Sequence, residues 1–147
     1  MRSTCLHILT ARKLITYDIS CKQTRSSTMS NVVQYVLVRG DLTRTLKWPS
    51  GAVMAQACHA CVAVVHTYYS DPDTQAYLKD LGNMHKVILE VPDEPALLST
   101  AAALGADGVQ HVVWKEQPED VATCVALKPC AKGTVSKYVR KFKLYSA

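Results

Sequence analysis

Between Trp48 and Val65 the chain reads WPSGAVMAQACHACVAVV, and four residues in this stretch can do chemistry: the amide of Gln56, the imidazole of His59 and the thiols of Cys58 and Cys61. Cys58-x-x-Cys61 has the spacing of a redox pair or of half a zinc site, and Cys58 beside His59 brings a thiol next to a base. Redox pairs sit at a helix start, where the dipole lowers the thiol pKa, and these thiols lie two turns in. Zinc needs two further ligands, and Cys124 and Cys130 form no second C-x-x-C. Neighbouring residues on a helix point about 100° apart, so Cys58 and His59 make a poor nucleophile–base pair. The cysteines therefore read as buried free thiols with no metal. What remains is a polar stripe. At helical phase Gln56, His59, Ala63 and His66 share one side, and Val53, Ala57, Ala60, Cys61 and Val64 another. Small residues along a stripe let a backbone or ligand come close. His66 alone reads as an ordinary surface histidine.

These residues need a helix, and the helix needs a sheet to pack on. Ser50 reads as the N-cap of a helix that runs to about Tyr69, preceded by Pro49. Before it, VVQYVLVRGD is β-branched and almost wholly apolar, which predicts a central strand buried on both faces and closed by Gly40. DPDTQAYLKDLGN predicts a shorter helix closed by Gly82 and Asn83, and HKVILEV a second strand. DEPALLSTAAALGADG carries acids and Pro95 in its first turn and Gly105 at its end, as a helix should. VQHVVW and VATCVAL predict two more strands joined by the loop KEQPED, and GTVSKYVRKFKLY a basic amphipathic helix. The order β-α-α-β-α-β-β-α gives an α/β fold, a single domain with a mixed four-stranded sheet flanked by helices.

Length and composition bound the function. With 147 residues, 48% of them hydrophobic and 20% charged, the chain suits one domain with a substantial core. No apolar run is long enough for a membrane span, so a membrane partner is not expected. Six cysteines in sequence rich in apolar residues fit a reducing compartment better than a disulfide scaffold. The formal charge of +5 is uneven: residues 1–31 carry +4 and residues 32–147 only +1. The first segment is rich in Arg, Ser and Thr, the composition of a mitochondrial transit peptide, yet no amphipathic Arg face emerges between Cys5 and Tyr17. It reads as an unstructured extension of a cytoplasmic domain, with mitochondrial import the alternative.

One charge feature stands out within the domain. Lys128, Lys132, Lys137, Arg140, Lys141 and Lys143 follow one another without an acid between them. This concentrates positive potential in one region, and phosphates are the obvious counterpart. A solvated helix face is the bland reading of the same run. Tyr138 and Tyr145 flank the cations and could stack on an unpaired base or belong to the core.

YVLVRGDL, AQACHA, ATCVALKP and the closing VSKYVRKFKL, in this order, resemble the type 2 peptidyl-tRNA hydrolases of archaea and eukaryotes, and WPSGAVMAQACHA, the DE after the second strand and EQPEDVATCVALKP resemble one branch of that family. The chain resembles that family from about residue 32 to its end, and most closely the branch called peptidyl-tRNA hydrolase domain-containing protein. The resemblance implies a compact α/β domain that hydrolyses the ester between a peptide and the 3′ ribose of its tRNA, with no metal or organic cofactor and with the acceptor end of tRNA as partner. Whether the domain forms a homodimer is left open.

Carried over by motif, Arg39, Asp41, Gln56, His59 and Thr123 match the family's pocket region. Lysines usually flank the glycine at the family's helix start; here that stretch is Ser50, Gly51, Ala52. The family's aspartate before its last strand has Glu116 nearby, and its Gly-Thr-x-Thr run is represented by Val121, Ala122, Thr123. A cation beside a developing oxyanion is worth about 2–4 kcal/mol, so these departures bear on the rate. On this reading Lys47, or the amides of Gly51 to Val53, stabilises the oxyanion while Glu116 or His59 orients the water. Ser50 and Gly51 border the substrate, and Lys137, Arg140 and Lys141 hold phosphates. The alternative is a module that kept the fold and lost turnover, binding RNA or serving as an adaptor.

Overall fold

Seven of the eight residues of strand β1, Val32–Arg39, are buried, because its side chains alternate between two separate cores. Val33, Tyr35 and Leu37 face one cluster, and Val36 and Val38 the other. The computed structural model describes residues 32–146; the N-terminal extension expected over residues 1–31 lies outside them. β1 is followed by a single helical turn, α1 (Asp41–Arg44), and by the long helix α2 (Ser50–Thr67). Next come α3 (Pro72–Lys79), a 3-10 turn (Leu81–Asn83), β2 (His85–Val91) and α4 (Glu94–Ala106). The chain ends with β3 (His111–Glu116), β4 (Val121–Leu127), β5 (Cys130–Ala131), α5 (Ser136–Val139) and β6 (Lys143–Leu144).

The mixed α/β architecture is as expected, but the sheet has six strands rather than four, in the order β3-β4-β1-β2-β6 with β5 paired to β1. β1 and β2 are parallel; β4 is antiparallel to β1, and β3 to β4. β1 is central, as its continuous apolar sequence requires. α2 packs Val53, Ala57, Ala60 and Val64 against Val36, Val38, Cys124 and Ala126 on one face. α4 and α5 cover the other with Leu97, Ala101, Leu104, Val135, Tyr138 and Val139.

Three local expectations are corrected. Pro49 rather than Ser50 is the N-cap of α2, and it offers no side-chain cap, so Ser50 becomes the first helical residue. α4 runs one residue past Gly105, and Gly108, at φ 70°, takes the left-handed conformation that reverses the chain. The long basic helix expected over residues 133–145 is only the four-residue α5. Val135, Tyr138 and Val139 bury one turn against the sheet, after which Lys143 and Leu144 pair with Glu90 and Leu89. Hydrogen bonding to the open edge of β2 outweighs continuation of a helix whose next residues are exposed. Elsewhere Asp71 caps α3 by accepting from Asp73 N and Asp93 caps α4 by accepting from Ala96 N, while Gly82 and Asn83 lie in the 3-10 turn beyond the end of α3.

Ion pairs tie these layers together and set an acid limit. Asp71, Glu90, Asp107 and Asp120 lie below the usual carboxylate range, each chiefly through a hydrogen bond from a cation, respectively Lys128, Arg44, Lys137 and Lys115. A depressed carboxyl contributes stability that is complete above its unfolded value, about 4, and is lost as pH falls through the lower folded value. The urea midpoint should therefore stay flat from about pH 7 to 5 and drop below about pH 4. Lys128→Met should reduce that drop; a midpoint unchanged between pH 5 and 3 would contradict the assignment.

Candidate active site at the end of the sheet

The candidate residues of α2 and β4 meet because β4 holds one residue too many. Trp114 pairs with Cys124 and Lys115 with Ala122, so Thr123 is the extra residue of a β-bulge. In a regular strand Ala122 and Cys124 would share a face; here Ala122 joins the α4 core and Cys124 the α2 core. The bulge turns both Thr123 and Cys124 toward α2. Thr123 Oγ1 donates to Gln56 Oε1 at 3.2 Å, and the Cys124 thiol donates to the Gln56 carbonyl at 3.2 Å.

Trp114, a residue that the sequence did not single out, completes the cluster. Its Nε1–H donates to Gln56 Oε1 at 2.9 Å. Indole N–H is a donor only, so this bond fixes which end of the Gln56 amide is oxygen. With Trp114 and Thr123 both donating to Oε1, Gln56 keeps Nε2 as its free donor; it makes no side-chain hydrogen bond among the described residues. Gln56 is 3% exposed, so this amide is a held, oriented group and not a solvated one. One turn on, the exposed ring of His59 stacks on Trp114 with centroids 5.0 Å apart and planes at 22°. His66 is also exposed. The stripe read from helical phase thus starts buried at Gln56 and opens to solvent at His59.

Of the thiols expected to be buried, Cys124 and Cys130 are, Cys61 is partly so and Cys58 is exposed. Burial pushes Cys124 up to about 12, and burial raises Cys61 as well. Cys58, Cys61, Cys124 and Cys130 are all free.

Beside this cluster lies a second one, built on Arg39. Its guanidinium takes Asp41 in a two-pronged pair at 3.0 and 2.8 Å, Glu94 at 2.9 Å and the carbonyl of Ala122 at 2.8 Å. Glu94 in turn accepts from Ala122 N at 3.1 Å. Arg39 is 5% exposed, and its hydrogen bond with Asp41 is the main reason its pKa is raised. Arg39 and Asp41, expected at the substrate, bind each other here, and through Glu94 and Ala122 they clamp the entry of β4 against the first turn of α4. Glu94 could be suspected only from the DE after the second strand.

The remaining candidates ring the same end of the sheet more loosely. Lys47, at φ 58°, stands exposed in the α1–α2 turn with no carboxylate within 4 Å among the described residues. Of the α2 amides, Ala52 N and Val53 N turn back to the Pro49 carbonyl at 2.9 and 3.2 Å, so these two are already paired. Ser50 N and Gly51 N make no backbone bond among the described residues. A Cβ built on Gly51 would meet nothing within 4 Å, so the front of the helix is open. Glu116 follows Trp114 by two residues on β3, on the same face, and is half-buried. Lys137, Arg140 and Lys141 are elsewhere: α5 packs on the opposite face of the sheet, and Lys137 pairs with Asp107.

Two substitutions test this geometry. Gln56→Leu should cost about 2 kcal/mol in chemical denaturation, since Trp114 N–H and Thr123 O–H lose their buried acceptor. Arg39→Ala should cost about 3 kcal/mol, the low end for breaking a buried pair, because Asp41 and Glu94 keep some water. Values under about 0.5 kcal/mol, the range of ordinary surface changes, would mean that neither cluster organises the site.

Residues 32–145 match the family described as peptidyl-tRNA hydrolase PTH2. The human protein named "Putative peptidyl-tRNA hydrolase PTRHD1" is 48% identical over 115 residues, 78% of this chain and 82% of its own. Its mouse counterpart of the same name is 47% identical over the same length. The peptidyl-tRNA hydrolase of Methanococcus vannielii is 29% identical over 118 residues, covering 76% of this chain and 97% of its own.

Proposed function

The chain belongs to the peptidyl-tRNA hydrolase PTH2 family, and from that premise we propose that it hydrolyses the ester joining a peptide to the 3′ ribose of tRNA in the cytoplasm. The observation that carries the reading is the oriented Gln56 amide beside the stack of the exposed His59 on the half-buried Trp114. Ester hydrolysis needs a positioned water, a group to take its proton, donors for the developing oxyanion, and a proton for the leaving ribose oxygen.

Each requirement has a candidate at this end of the sheet. Gln56 Nε2 donates to the ester carbonyl, since its oxygen is already committed to Trp114 and Thr123. Pre-set donors of this kind stabilise charge as it develops without reorganising. Lys47 and the free N–H groups of Ser50 and Gly51 add positive potential at the oxyanion, Lys47 as a mobile cation and the amides as the start of the α2 dipole. His59 and Glu116 are the groups that orient the attacking water, accept its proton and hand that proton on to the leaving ribose oxygen. Thr123 acts by holding Gln56. The His59–Trp114 stack offers a flat face to the terminal base of the acceptor end.

Turnover of a labelled peptidyl-tRNA by the purified chain tests the proposal. Release of free peptide through many cycles is expected, with His59→Ala and Lys47→Ala each slowing it by about tenfold or more, the scale of one general-base or oxyanion contact. Glu116→Gln separates the two water-orienting groups. Tight tRNA binding without release would favour the module that kept the fold and lost turnover.

A further inference from the structure

On the face of the sheet opposite α2, an open cleft of about 470 Å³ lies between β1, β2 and the α5 segment. Its floor is apolar and partly aromatic: Tyr35, Leu89, Val139 and Phe142. Its rim carries Lys132, Arg140 and the Ser136 hydroxyl, and no carboxylate lines it. We propose that this cleft binds a nucleoside phosphate, the base lying on the Tyr35 and Phe142 side of the floor and the phosphate against Lys132 and Arg140.

Three observations converge on that chemistry. First, the cations are uncommitted. Of the six in the C-terminal run, Lys128 is held by Asp71 at 2.6 Å and Lys137 by Asp107, whereas Lys132 and Arg140 have no carboxylate within 4 Å among the described residues. Two unpaired cations over an acid-free hollow favour an anion. Second, Tyr35 is a polar side chain left without a partner. It is 7% exposed, its hydroxyl makes no hydrogen bond among the described residues, and that hydroxyl is not one of the sealed unpartnered atoms. Burial of the ring raises its pKa, so it stays a neutral donor and acceptor. Such a group at a cleft floor matches a ligand that brings its own hydrogen-bonding edge. Third, the Lys141 ammonium sits 4.9 Å from the centroid of Phe142, which adds positive charge beside an aromatic ring.

The shape narrows the ligand further. The volume lies within the roughly 300–1,000 Å³ of small-molecule sites. A shallow aromatic floor suits a planar base better than an acyl chain, which needs a deep channel. A Cβ on Gly133 would meet nothing within 4 Å, so that end of the cleft is unfilled. The proposal does not rest on the hydrolase reading, because the two sites face opposite sides of the sheet.

Titration calorimetry of the full chain tests it in the absence of peptidyl-tRNA. Adenosine 5′-monophosphate reads a free nucleotide, and a tri-adenylate with a 5′-hydroxyl reads the same unit within a strand; adenosine and inorganic phosphate are the controls. Saturable binding of either nucleotide is expected to be at least tenfold tighter than that of both controls. The double substitution Lys132→Ala, Arg140→Ala should weaken it by about tenfold or more, as loss of charge-assisted bonds does. Tyr35→Phe should weaken it about threefold or more through loss of one neutral hydrogen bond. Inorganic phosphate binding as tightly as the nucleotides, no saturable binding of either nucleotide, or affinities indifferent to both sets of substitutions would each overturn the proposal.

Discussion

Thr123 and Cys124 are consecutive residues of one strand, and both reach Gln56. A regular strand forbids this, because neighbouring side chains leave on opposite faces. The extra residue in β4 lifts that constraint at a single place, and the geometry of the candidate site follows from it. Thr123 and Trp114 converge on one amide oxygen, the amide nitrogen is left as donor, and His59 one turn along stacks on the ring of the same indole. Bulges are common where a sheet must aim a side chain, and here the aim is a donor at the mouth of a helix.

The Arg39 clamp is what makes the bulge tolerable. A bulged residue interrupts the ladder and leaves backbone groups to satisfy. Next to Thr123, Ala122 finds both of its backbone partners in side chains: its carbonyl in Arg39 and its N–H in Glu94. Glu94 is the first residue of α4, so the same pair seats that helix on the sheet. Buried charge is costly, and its presence here is explained by three acceptors arranged around one guanidinium. The two clusters are thus one device, with Arg39 holding the strand and Gln56 using the residue that the strand presents.

Charge follows a comparable logic on the other face. A run of six cations suggested one positive surface, yet Lys128 and Lys137 are drawn into structural pairs. Lys132 and Arg140 rim an aromatic hollow instead of lining a helix, because α5 stops after one turn and the chain returns to the edge of β2. Counting charges in sequence located the region, whereas the pairing decided which of them are available.

The sequence by itself determined the mixed α/β class, the helices α2, α3 and α4 and the strands β1 to β4 in their order, the central place of β1, and the division of α2 into a packed side and a polar stripe. These are legible because they depend on neighbours within a turn or two: apolar periodicity, cap residues and β-branching act locally. It also singled out Gln56, His59 and Thr123. Only the tertiary structure decided what those residues touch. The Gln56–Trp114 bond joins residues 58 apart, and Arg39 reaches Glu94 across 55. Contacts of that span depend on strand register, and register shifts at a bulge that no local pattern announces. The brevity of α5 has the same cause, since the competing partner of Lys143 and Leu144 is a strand edge more than fifty residues earlier in the chain.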